Sequence, residues 1–330
     1  MISALAIQKY FGLKHDPFGR PGESEVFRGA GFAETLEQMR EWLTRGEMVA
    51  LIGAPGSGKT TLLADLEGDS DDGLKVIPVV FPNRKEMHAG AVFELIGLEF
   101  GVRFSRSNAI RQIELARYLA DTAERTRVAV IVDEAHRVTS EFLRQMKELS
   151  EMRWGLKRDL LGVCFAGLPE FEGLARRYAP DIYRRLIVQR KIIDAAEIVR
   201  EEIKEYLQFR TMAAGNRALM DEGAMNASAA LARTPLEANR VAWDAMETAH
   251  KAGARQVSAE HVLAGRTSRQ KKEALGLTLG EIGAATGMSV AAASRAINGE
   301  SRGPGEAARA VEQFLDKAMA AGRGKAANAI

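Results

Sequence analysis

A single cysteine, Cys164, stands among 330 residues. That excludes an internal disulfide framework and a cysteine zinc site, and it fits a reducing, cytoplasmic setting. Cys164 lies in the apolar run Leu160–Ala166 and reads as a small buried core residue rather than a reactive thiol. An excess of charge of one sign is also lacking: 46 Lys and Arg against 44 Asp and Glu leave a formal net charge of +2. Any grip on nucleic acid must therefore come from local basic patches. No apolar run approaches the roughly 18 residues needed to cross a bilayer, and no signal peptide opens the chain. The expectation is a cytoplasmic protein without membrane contact. Its 46% hydrophobic and 27% charged residues are ordinary for a globular protein, and the length suggests about two domains.

The informative stretch is Gly53-Ala54-Pro55-Gly56-Ser57-Gly58-Lys59-Thr60-Thr61, a complete G-x-x-x-x-G-K-[ST] phosphate-binding loop. Met48–Ile52 before it has the length of a buried strand, and the residues after it can begin a helix, which is the context the loop requires. Gly53, Gly56 and Gly58 let the backbone turn successive N–H groups towards phosphate oxygens. Lys59 would reach the β- and γ-phosphates, and the Thr60 hydroxyl would sit on Mg²⁺. A second apolar run, Val128–Val132, ends in Asp133 and Glu134. A strand buried on both faces reads this way, and its carboxyl end would deliver both carboxylates beside the loop. Asp133 suits the Mg²⁺ shell through water, and Glu134 suits orienting and deprotonating the attacking water. Loop and carboxylates together predict ATP and Mg²⁺ as cofactors and ATP hydrolysis as the reaction. The next residues complete Asp-Glu-Ala-His, a helicase-like box, but no second RecA-like core follows it.

Further strands are expected at Leu74–Phe81, where Pro78 points to an edge position or a bulge, at Leu160–Ala166 and at Leu186–Ile193. Helices are expected around 32–43, 85–100, 107–125 and 139–153; in the third, Ile110, Ile113, Ala116 and Leu119 form an apolar stripe. Alternating strands and helices predict a three-layer α/β domain with a parallel sheet. Helices near 196–212, 221–231, 235–251 and 258–264 form a small all-α lid. The expected boundaries are 1–194 for the N-terminal segment and α/β core, 195–265 for the lid, 266–275 for a polar, basic linker and 276–319 for a helix-turn-helix. A disordered tail, 320–330, ends the chain. In the helix-turn-helix, Gly287 makes the turn and Ser289 caps the second helix, which exposes Ser289, Ala291, Ala292, Ser294 and Arg295. Those residues suit weak, low-specificity DNA contact, and a purely structural helical hairpin is the alternative.

Phosphate loop, Asp133–Glu134 strand and helical lid together resemble the AAA+ ATPases over about residues 5–265. Tyr10-Phe11-Gly12-Leu13, Pro17-Phe18, the Asp-Glu-Ala-His box and Ala166-Gly167-Leu168-Pro169-Glu170 look like the branch holding ExeA-type ATPases and transposition ATPases of the Mu B and TnsC type. The C-terminal module resembles the λ-repressor-like domain of the Mu B type, which lies at the opposite end of the chain there. The resemblance implies hydrolysis between neighbouring subunits of a homo-oligomer, an arginine of one completing the site of the next. Asp181–Leu186 looks like that region, with Arg185 as first choice and Arg184 as second. A polar sensor residue is expected after the fourth strand, where this chain has Gly167-Leu168. A lid arginine is expected near Thr234-Pro235, where Leu236 stands and Arg240 follows one turn later. Both departures imply slow turnover.

The resemblance also implies that ATP-bound subunits wind around double-stranded DNA as a filament. Candidate contacts are Arg84 and Lys85, Arg103 and Arg106, and Arg153, Lys157 and Arg158. The function implied is target-DNA binding in DNA transposition, with recruitment or stimulation of a transposase and release on hydrolysis. An ATP-switched transcription regulator using the helix-turn-helix is the alternative. An ExeA-type secretion ATPase is a third reading, disfavoured by the lack of a membrane span.

Overall fold

The computed structural model describes residues 3–19, 22, 26–68, 73–79, 88–157, 159–188, 191–195, 202–298 and 305–321. α1 (Ala4–Tyr10) comes first, then α2 (Ala30–Thr44), β1 (Met48–Ile52), α3 (Lys59–Gly68) and β2 (Leu74–Val79). α4 (Ala89–Phe100) and α5 (Asn108–Thr122) lead to β3 (Arg127–Val132), α6 (Ser140–Ser150) and β4 (Leu161–Gly167). α7 (Glu170–Tyr178), α8 (Pro180–Val188) and the short β5 (Ile192–Asp194) complete the alternation. The elements that follow are helical: α9 (Ile203–Ala213), α10 (Glu222–Leu231), α11 (Pro235–Lys251), α12 (Ala259–Leu263), α13 (Ser268–Leu275), α14 (Leu279–Thr286), α15 (Val290–Asn298) and α16 (Glu306–Ala320). No helix among the described residues is long and apolar enough to cross a membrane.

The chain divides into two compact units. One is Ala30–Val199; the other joins Met1–Gly29 to Arg200–Ile330. In the first, five parallel strands lie in the order β2-β3-β4-β1-β5. β1 and β4 are buried along their whole length, which explains their unbroken apolar sequences. Alternate residues serve opposite faces. Ala50, Val130, Val163 and Phe165 face a core with Phe93, Leu119, Phe142 and Phe171. Val49, Leu51, Ile131 and Cys164 face a second core with Phe32, Leu43, Leu62 and Leu66. The result is the three-layer α/β architecture expected of an AAA+ ATPase, with Pro78 on the edge strand β2.

Two local expectations are corrected. Leu186–Val188 belongs to α8, not to a strand, because Pro180 opens a helix whose Ile182 and Leu186 pack four residues apart into the first core. β5 is only Ile192–Asp194. On α5 the buried stripe is Leu115, Ala116, Leu119 and Ala120, whereas Ile110 and Ile113 are exposed. At about 3.6 residues per turn, Ile110 falls on nearly the opposite side from that stripe.

Among the described residues the elements of the second unit are helices, with one continuous core. Ile7 and Phe11 of the N-terminal segment join Ile203 and Leu207 of α9, Met246 of α11, Ile282 of α14, and Val311, Leu315 and Met319 of α16. The stretch read as a basic linker is α13. Thr267 and Gln270 form its capping box, Gly276 ends it at φ +64°, and Leu275 is buried. Lys271 is also buried, its Nζ 2.6 Å from Asp316 and 3.4 Å from Glu312 of α16. α14 and α15 meet at Gly287, with φ +72°, and a Cβ on Gly283 would lie 2.7 Å from the Met288 carbonyl oxygen. Close crossing of these two helices therefore requires glycine at 283. Ser289 Oγ accepts from Ala292 N at 3.2 Å as the cap of α15.

Candidate nucleotide site

The strand register gathers the site at the carboxyl end of the sheet. Ile52 pairs with Gly167 on one side and Asp194 on the other, and Val132 pairs with Phe165. Gly53 and its loop, Asp133 and Glu134, Gly167-Leu168 and Asp194 thus all leave the carboxyl ends of neighbouring strands, where open α/β sheets hold ligands. Gly56 and Gly58 have φ of +77° and +92°, conformations a side chain would strain. A Cβ on Gly53 would lie 2.6 Å from Ser57 Oγ. The loop ends at Lys59, the first residue of α3, so Gly58, Lys59, Thr60 and Thr61 open a helix with unsatisfied N–H groups and a favourable dipole for anions. Ala54, Pro55 and Gly56 are exposed.

Lys59 Nζ donates to the carbonyl oxygens of Gly53 at 2.7 Å and Ala54 at 3.1 Å. Burial pulls its ammonium below the ordinary lysine range, and the charges of Asp133, Glu134 and Asp194 oppose that shift. Lys59 therefore senses three carboxylates, of which Asp194 was missed in the sequence. Its only signal was a carboxylate ending an apolar run, and nothing in the order of the residues says that β5 lies beside β1. Asp133 Oδ1 accepts from Glu134 N at 2.7 Å. Glu134 itself has φ 52° and ψ 36°, a left-handed conformation that a residue with a Cβ adopts at a cost.

The donor set fits Mg²⁺. The Thr60 hydroxyl and Asp133 carboxylate are hard oxygens, and buried Ser57 Oγ finds no hydrogen-bond partner among the described residues. Among the described residues no group of three His, Cys, Asp or Glu side chains is arranged to hold a metal. The ion would therefore draw its remaining ligands from water and phosphate, and would supply charge neutralisation at the phosphates.

The model of the family described as "AAA domain" matches residues 43–175. The stretch that holds the phosphate loop and the paired carboxylates is similar to that family. The reaction of the chain is ATP hydrolysis, and in the loop and the paired carboxylates sequence and geometry coincide. No curated protein matches the chain. Among solved structures, Cdc6p from Pyrobaculum aerophilum is 16% identical, covering 96% of this chain and 90% of its own, with a TM-score of 0.48. The Aeropyrum pernix ORC2 protein (ADPNP-ADP complexes) is 17% identical over 93% of this chain and 84% of its own, with a TM-score of 0.49. The Thermotoga maritima RuvB Holliday junction branch migration motor is 18% identical over 84% and 88%, with a TM-score of 0.40. These are distant likenesses.

The remaining candidates are scattered. Arg185 on α8 donates to Glu151 at 3.0 Å, beside the Lys147–Asp181 ion pair at 2.7 Å. Arg184 next to it is exposed. Arg240 lies on α11 in the helical unit, lining with Arg233, Glu237 and Arg266 a cavity of about 430 Å³. Arg103, Arg106 and Arg153 are exposed, but Lys157 is engaged, its Nζ donating to Ala120 O at 2.9 Å with Glu124 at 3.4 Å. Ser289, Ala291 and Arg295 are exposed and Ser294 half-buried, and Arg295 Nε donates to Ala291 O at 3.3 Å. Arg84, Lys85, Arg158 and the tail beyond 321 lie outside the described residues.

Proposed function

We propose that the chain is an ATP-dependent DNA-binding protein of DNA transposition. As an ATP-bound oligomer it coats target duplex, recruits or stimulates a transposase, and is released by hydrolysis. Lys59 and the loop N–H groups bind the β- and γ-phosphates, Thr60 and Asp133 hold Mg²⁺, and Glu134 takes a proton from the attacking water. The arginine supplied to a neighbouring subunit is Arg184 in this reading. Arg185 already spends its guanidinium on Glu151, whereas Arg184 is exposed and its charge only reaches Asp181, without a hydrogen bond or close ion pair among the described residues. Arg240 is the lid arginine in this reading.

The observation that carries the reading is that the α14–α15 pair, with Ser289, Ala291 and Arg295 exposed, is built into the same core as the helices after the AAA domain. Support for transposition in particular comes from the motif resemblance set out above. Neutral overall charge is compatible with it, because phosphate contacts of few cations per subunit add along a repeating assembly.

The test is anisotropy on random-sequence duplex with ATP, with ADP and without nucleotide, using the intact chain, Lys59→Ala and Arg295→Glu. Cooperative binding that needs both ATP and Lys59 is expected. Binding indifferent to nucleotide sinks the proposal. Footprinting separates the transcription-regulator alternative: one discrete protected site means a regulator, whereas protection of any duplex means target coating.

A further inference from the structure

The geometry points to His136 as the positioning residue of the ATPase site, holding Glu134 through one ring nitrogen and the end of β4 through the other. This rests on Glu134 being the base. The imidazole is mostly buried, 17% exposed, with Nε2 3.6 Å from Glu134 Oε2. Its Nδ1 accepts a hydrogen bond from the Leu168 backbone N–H at 3.3 Å. A backbone N–H can only donate, so Nδ1 is the unprotonated nitrogen and the ring proton sits on Nε2, facing the carboxylate. Oε2 is the oxygen that faces this N–H, just beyond hydrogen-bond distance, and no hydrogen bond or ion pair of Oε1 is found among the described residues. Arg137 Nη1 is also 3.9 Å from Oε2, but that side chain is exposed, whereas the imidazole is mostly buried and hydrogen-bonded to Leu168.

Two features of the backbone make the arrangement specific. Glu134 occupies the left-handed region with φ 52°, so its side chain leaves the chain at an angle set by the turn Ala135–Arg137, and one partner from that turn aims it. Gly167 leaves room for the ring. A Cβ there would lie 3.0 Å from His136 N, 3.1 Å from Ala135 N and 3.3 Å from His136 Nδ1. The same Gly167 accepts from Gly53 N at 3.2 Å through its carbonyl oxygen. A continuous path therefore runs from the first residue of the phosphate loop through Gly167 and Leu168 to His136 and Glu134. Where the motif resemblance leads one to expect a polar side chain after β4, this chain has none, and His136 reaches that place from the β3 side.

Two isosteres separate the contacts. The amide nitrogen of His136→Gln reaches the Nε2 position and keeps a donor for Glu134; the amide of His136→Asn reaches the Nδ1 position and keeps only the Leu168 contact. Single-turnover and steady-state ATP hydrolysis, binding of a fluorescent ATP analogue and the thermal midpoint would be measured on the full chain. The expectation is a kcat about ten- to hundredfold lower in His136→Asn, as for a misplaced reacting group. KM and analogue affinity should stay within about twofold, and kcat should recover most of the loss in His136→Gln. Gly167→Ala, whose methyl presses on the backbone nitrogens of Ala135 and His136 as well as on the ring, should show the same selective loss of kcat, and it carries the test if His136→Asn does not fold. Equal rates in the Gln and Asn variants, whether both lost or both retained, overturn the proposal. So does a Gly167→Ala protein with unaltered kcat. Glu134→Gln is run beside them: retained turnover there shows that the base is another residue, a failure distinct from that of His136.

Discussion

Lys59 and Glu134 divide binding from chemistry. Lys59→Ala removes a charge-assisted contact worth about 1.5–3 kcal/mol, so ATP affinity by equilibrium titration should fall roughly ten- to hundredfold. Glu134→Gln should leave that affinity intact and lower kcat by about a hundredfold or more, the contribution typical of a general base. The strained backbone at Glu134 makes a further case: Glu134→Gly would relax the turn yet lose the carboxylate, so better stability with no turnover is expected. Cys164 illustrates a residue without function. Burial, with the Asp133 charge adding to it, pushes its thiol up, so native protein should resist alkylation until unfolded. Above about pH 9, the ordinary thiol value, only the unfolded chain releases this proton. The unfolded state then binds fewer protons, and the contribution to stability falls as pH rises. Urea midpoints of wild type and Cys164→Ala across that range check the sign.

Among the elements, those with local signals were legible. The phosphate loop needs glycines at its turns and a strand before it, and both are written in consecutive residues. β3 and β4 announced themselves by unbroken apolar runs because both faces are covered. α8 and β5 were misjudged, since Leu186-Ile187-Val188 is as apolar as a strand, and only packing of Ile182 and Leu186 on the first core decides for helix. α13 was misjudged for the opposite reason: its polar residues hid Lys271, whose burial depends on carboxylates some 40 residues further on. The α14–α15 crossing gives a sharp prediction. Gly283→Ala places a methyl 2.7 Å from the Met288 carbonyl oxygen and should cost about 1–3 kcal/mol, read as a lower thermal midpoint with ATP binding intact.

At the scale of the whole molecule, the C-terminal helices are part of a unit rather than an appendage. Asn226 Nδ2 donates to Ala320 O at 3.1 Å, and Val311, Leu315 and Met319 share one core with Ala224 and Met225. Ending the chain after Gly265 should therefore strip apolar cover from α10 and α12, giving dye-binding, aggregation-prone protein, whereas a separable module would leave a well-folded remainder. Circular dichroism and a hydrophobic dye distinguish the two outcomes. What the sequence determined alone was the chemistry that consecutive residues encode: a phosphate loop, a paired carboxylate, a buried thiol, alternating strands and helices. Strand order and the sharing of cores were decided by the tertiary structure. Which strand lies beside which, and so whether Asp194 and Gly167 flank the loop and His136 meets Glu134, depends on contacts between residues tens of positions apart. Those contacts form because buried faces must be covered, and many linear orders of apolar residues satisfy that demand equally well.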